Sequence, residues 1–173
     1  MRRVKTGAVL FVLWAFQVAV FAHLRPFGVA PDLLLVAALV GGLVGGPEFG
    51  ARHGFIAGLA LDLVTPGPLG LAAGVYGIFA DGIGGAARTV DSDDPRVLPV
   101  LMGAAAFLAT LVFGLALGVL GSEEFVEFRL LQKAALVALY SVLLSIPVRG
   151  LIAWAVIDPR DGARGEAPQS VVN

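Results

Sequence analysis

Residues 31–70 read PDLLLVAALVGGLVGGPEFGARHGFIAGLALDLVTPGPLG, and the way this stretch is interrupted decides the fold. Residues 31–46 are apolar except for Asp32 near their start. Gly46 followed by Pro47 stops one helix and starts the next, because Gly accepts a left-handed cap and Pro suits a helix's first turn. The second run, residues 47–65, closes on Thr65-Pro66-Gly67-Pro68, a tight turn. A helix that crosses about 30 Å of hydrocarbon needs roughly 20 mostly apolar residues. Both runs fit that role, the first being short.

Four more segments of the same kind flank them, at residues 7–24, 68–86, 97–121 and 130–148, with apolar residues continuing to 157. The expectation is an all-α fold: a polytopic membrane bundle of six transmembrane helices in one domain, residues 1–157. A polar tail follows at 158–173. The first segment also has the make-up of a secretory signal peptide, but no Ala-x-Ala site stands out near Ala22. Its cleavage would leave the other spans unchanged.

Composition agrees. Of the 173 residues 58% are hydrophobic and 14% charged, and mean hydropathy is +0.89. A water-soluble domain of this size has too little interior to hide so much apolar surface. A soluble enzyme and a disordered chain are both excluded. With no Cys there is no disulfide scaffold. The net charge of −1 gives no field for nucleic acid.

An inside N-terminus places Arg2, Arg3, Lys5, Arg52, Arg88, Arg96, Arg149, Arg160 and Arg164 on the cytoplasmic side. Arg25, Arg129 and Lys133 fall outside. That asymmetry follows the positive-inside rule and puts both termini in the cytoplasm. Ser122, followed by Glu123 and Glu124, reads as the N-cap of the sixth helix, which would begin before the membrane.

Charged groups within spans need a reason, because an Asp at a span's centre costs about 3 kcal/mol to insert. Asp32 fits a cap at the start of the second span. Asp62 lies about 5 Å below the outer turn and Asp81 about 20 Å below it, by helix rise. Two carboxylates so far apart in depth cannot share a proton, so an aspartyl-protease dyad is not expected. Asp81 has Arg52 and Arg88 within reach as pairing partners. His23 and His53 lie at opposite ends of their spans and cannot form one metal site. Ser141 and Ser145 have no His at their depth to activate them. Asp91, Asp93 and Asp94 lack the ligand pattern of a calcium loop. No cofactor is implied.

Gly42, Gly46, Gly50, Gly54 and Gly58 recur every four residues, and Gly70 and Gly74 repeat the spacing. Small residues at this spacing line one helix face and let backbones approach. They serve either packing inside the bundle or docking of a partner's membrane helix.

Pro31-Asp32-Leu33-Leu34-Leu35, the Gly-rich run from Gly54 to Leu61-Asp62-Leu63, and Pro66-Gly67-Pro68-Leu69-Gly70 together resemble the MreD family of bacterial rod shape-determining proteins. The resemblance is strongest over residues 31–81 and marks Asp32, Asp62, Pro66, Pro68 and Gly70, with Asp81 a structural polar candidate beside them. It implies a non-enzymatic scaffold of the cell-elongation complex in the bacterial cytoplasmic membrane. Its implied partners are the bitopic MreC, the MreB filament and wall synthases, and its implied fold is similar to substrate-binding subunits of energy-coupling-factor transporters. The alternative is such a subunit itself, taking up a vitamin-type molecule through a polar pocket at the outer mouth. Asp32, Asp62 and Gln17 are the polar groups the sequence offers there.

Overall fold

The computed structural model describes residues 2–21, 29–90, 97–120 and 127–156. The Ser122 cap, His23, Arg25, the acids at 91, 93 and 94 and the polar tail lie outside them. Among the described residues all regular structure is helical: α1 Arg2–Phe16, continued by a π-helical turn Gln17–Phe21, α2 Leu33–Gly45, α3 Pro47–Asp62, α4 Leu71–Thr89, α5 Val97–Val119 and α6 Glu127–Val156. The last helix runs further than residues 130–148. Pro147 lies inside it without ending it. In membrane helices neighbouring groups and local adjustments compensate the missing N–H.

α2 is the hub. Its residues Leu33 through Gly42 are all buried, and it touches each of the other helices. A helix apolar on every side belongs at the centre of a bundle. It turns into α3 through the single residue Gly46, whose φ of +81° is one that side-chain-bearing residues rarely adopt. Gly46 N–H closes α2 on Gly42 O, and Gly46 O receives Gly50 N–H, each at 2.8 Å.

α3 and α4 then run antiparallel with their backbones in contact. A Cβ added at Gly58 would strike Ala72 O, at Gly54 Tyr76 O, and at Gly50 Ala80 O. Gly84 meets Pro47 N and Gly46 C at the far end. Each pair steps four residues along both helices, so one register holds over their whole shared length. Gly42 of α2 joins at Ala80 O, bringing three backbones together at one point. Gly70 and Gly74 repeat the sequence spacing, but an added Cβ at either meets nothing within 4 Å.

The outside is apolar all round. Phe11 on α1, Phe55 on α3, Ile78 on α4, Leu115 on α5 and Leu143 on α6 are each at least half exposed. α5 and residues Arg129–Ala155 of α6 are long and apolar enough to cross a membrane, while Thr6–Ala19 and Leu33–Gly45 are shorter apolar helices.

This packing makes a comparison of glycines decisive. Gly54→Leu and Gly58→Leu should each destabilise the detergent-solubilised protein by about 3 kcal/mol, the upper range for overpacking. Gly74→Leu, which has room, should leave the melting temperature unchanged. Equal effects at all three positions would show that the α3–α4 contact does not hold the bundle together.

Candidate functional site at the mouth of the bundle

Polar side chains gather at the end where α2 and α4 begin and α3 and α5 finish. A helix start leaves N–H groups without intrahelical acceptors, and carboxylates are favoured there. Asp62, the last residue of α3, supplies them for α4. Its Oδ2 accepts from Gly70 N–H at 3.0 Å and Ala73 N–H at 3.2 Å, and its Oδ1 from Ala72 N–H at 3.1 Å. Gly70, at φ +94°, offers no side-chain cap of its own. The carboxylate from the preceding helix takes that place across the turn that holds Pro66 and Pro68. Asp62 itself is buried.

Asp32 is the N-cap of α2 itself. Its Oδ1 accepts from Leu35 N–H at 2.9 Å, and its Oδ2 accepts from the Tyr76 hydroxyl. Tyr76 lies in α4 and is buried, so this bond ties the start of α2 to α4. Gln17, in the π-helical turn after α1, completes the set. Its Oε1 accepts from Leu33 N–H at 2.9 Å while its Nε2 donates to Pro31 O at 3.0 Å. Such single-turn π segments recur at functional sites. One turn earlier, Trp14 Nε1 donates to Ala60 O at 3.0 Å and fixes α1 to α3.

Between these groups and the facing halves of α5 and α6 lies a cavity of about 460 Å³. Asp32, Asp62, Pro66 and Pro68 all line it, together with Gln17. Tyr76, Thr110 and Lys133 line it as well and are not among the residues the sequence singles out. For Lys133 a signal existed, since the charge asymmetry places it at the outer end of its span. Nothing in its local sequence shows which acids it faces.

Asp81 lies elsewhere. It is exposed on α4, about 12 Å along the helix from Ala73. The pairing with Arg52 or Arg88 is absent. Arg52 bonds Glu48 on its own helix at 3.0 Å, one turn back and therefore nearer. The Arg88 guanidinium lies against Gly46 at the C-terminal end of α2, where the helix dipole favours a cation. His53 is buried, stacked on Phe49 and packed against Gly41. Ser145 Oγ donates to Val142 O at 2.6 Å, a bond back to its own helix. Among the described residues no group of three or more His, Cys, Asp or Glu could hold a metal ion.

Asp62 is the most consequential of these residues for stability. Asp62→Ala should leave three N–H groups without an acceptor and cost about 3 kcal/mol, while Asp62→Asn, which keeps one acceptor oxygen, should cost about half as much. Thermal melts of the purified variants in detergent check the order; an Ala variant as stable as wild type would remove the cap from this account.

The family model described as rod shape-determining protein MreD matches residues 2–154. No curated protein and no solved structure matches the chain. The match spans all six helices, from the first residues of α1 to the last turn of α6, and takes in the capped mouth and the glycine contact alike. The chain belongs to the MreD family of rod shape-determining proteins.

Proposed function

We propose that this chain is a six-span, non-enzymatic scaffold of the bacterial cell-elongation complex, with both termini in the cytoplasm. It would bind the membrane helix of an MreC-like bitopic protein and, through the wider complex with the MreB filament and wall synthases, support peptidoglycan synthesis and cell shape. Family membership is the observation that carries this reading. The chemistry of the mouth supports it. Asp62, Asp32, Gln17 and Tyr76 are engaged in bonds that fasten helix ends, a structural task. The apolar exterior supports placement in lipid.

The glycines of α3 are covered by α4, so the partner's helix belongs on another face. We place it on the outward side of α4. There Gly74, Gly82 and Gly85 have open space, Ile78 is exposed, and Asp81 is exposed about 15 Å from the start of the helix. A carboxylate at that depth on a lipid-facing surface is costly. A partner helix bearing a hydrogen-bond donor or a basic side chain would satisfy it, and the glycines would let the two backbones close.

The fold of the scaffold would be similar to substrate-binding subunits of energy-coupling-factor transporters; the alternative, such a vitamin-binding subunit itself, draws on the mouth cavity alone. Depletion in a rod-shaped host should round the cells, and the MreC-like protein should co-purify in mild detergent. Asp81→Leu should leave the melting temperature unchanged and reduce co-purification several-fold, given about 1–2 kcal/mol for a hydrogen bond between membrane helices. Retention of rod shape on depletion would overturn the scaffold; full co-purification of the Asp81→Leu variant would move the docking face away from α4.

A further inference from the structure

The mouth cavity holds more chemistry than the capping bonds use. Its volume of about 460 Å³ lies in the usual range of ligand sites, about 300–1,000 Å³. One wall carries Asp32 and Asp62, both held in place by donors of the chain itself. The α6 wall carries Lys133, flanked at helical spacing by Leu130 and Val137. Lys133 is exposed and makes no ion pair with Asp62 or Asp32, but its charge acts on Asp32 across the cavity. The remaining wall is largely apolar, with Leu35 and Phe113 facing the same space.

We propose that this cavity binds a zwitterionic amphiphile. Its ammonium group meets Asp32, its phosphate or carboxylate meets Lys133, and its apolar part lies against Leu35, Phe113 and Val137. The sign pattern selects this class. A simple anion drawn to Lys133 would meet two carboxylates lining the same cavity, and like charges at short range are mutually unfavourable. A simple cation drawn to the acids would be repelled by the Lys133 charge that acts on the same cavity. A ligand with both signs satisfies each wall. Asp32 can receive it, because a carboxylate has about four lone-pair sites and the bonds to Leu35 N–H and Tyr76 Oη–H leave some unused. The inference is independent of the scaffold reading. A phospholipid headgroup of the ethanolamine type and a free amino acid with a large side chain share this chemistry.

Two probes separate the sources: dihexanoyl-phosphatidylethanolamine for a lipid and phenylalanine for a free amphiphile. Binding to the full-length protein in detergent is read by thermal shift and by titration. At least one probe should raise the melting temperature, and dihexanoyl-phosphatidylglycerol, which has the anion without the ammonium, should bind at least fivefold more weakly than the better of the two. Lys133→Gln should weaken that binding at least fivefold while its melting temperature without ligand stays at the wild-type value. Phe113→Ala, at a half-buried position of the apolar wall, provides a second variant and should weaken binding as well. No shift with either probe, equal binding of the phosphatidylglycerol, or unchanged binding by Lys133→Gln would overturn the proposal.

Discussion

Helices α3 and α4 meet backbone to backbone, with Gly58 on Ala72, Gly54 on Tyr76 and Gly50 on Ala80, and the rest of the molecule is arranged around that contact. Lipid offers no hydrophobic force between helices, so association must come from dispersion at short range. Glycine is a poor helix former, by about 1 kcal/mol per position against alanine. Using it at every fourth position is worthwhile only where the neighbour's carbonyls come too close for any Cβ. That condition is met along the whole interface. Gly42 extends it to α2, so the three helices converge at Ala80 and their relative positions are fixed.

The mouth follows from this register. Asp62 lies one turn beyond Gly58, and Gly58 lies on Ala72 at the start of α4. The carboxylate therefore reaches the first turn of α4, and three N–H groups close on it. Tyr76 is set opposite Gly54 by the same register, and its hydroxyl reaches Asp32 at the start of α2. Capping of α4 is thus a tertiary matter, since its start is satisfied by a residue from the helix packed against it, whereas Asp32 caps its own helix locally. In a bilayer such groups must find partners within the protein, and the caps lock helix positions while they do so.

The parts legible in the sequence are those whose physics is local. Gly46-Pro47 marks the α2–α3 junction because a left-handed cap and a first-turn proline act within two residues. Asp32 reads as a cap because its acceptor role spans three residues, to Leu35. The periodic glycines are visible, but their partner is not. The opposing face of α4 is Ala72, Tyr76, Ala80 and Gly84, and the large Tyr76 hides its pattern because only its backbone takes part in the contact. Gly70 and Gly74 share the spacing but face open space, which spacing alone does not show. Asp62 is visible as a buried acid, yet its partners lie eight to eleven residues on, across a turn. By depth Asp81 has two arginines in reach, but Glu48 is nearer to Arg52, and Arg88 lies against the end of α2. Convergence of Lys133, Thr110 and Tyr76 on one cavity depends on how α4, α5 and α6 are arranged in space, which no spacing within one helix encodes.

The two ends of the bundle are built differently, and the difference carries functional weight. Towards the Gly46 end, α2, α3 and α4 are packed so closely that backbone meets backbone. At the mouth the bulkier residues Leu35, Leu61, Phe113 and Leu130 line the space between α5, α6 and the other helices. The acids there are held by bonds that would persist with the cavity full or empty, so the wall is preorganised and pays no cost of rearrangement on binding. Lys133 is the exception, an exposed cation on a flexible stem at the edge of an otherwise fixed site. A rigid half that presents one face of α4 outward and a recessed half that opens at the mouth give this small bundle two separate surfaces, and substitutions on one need not disturb the other.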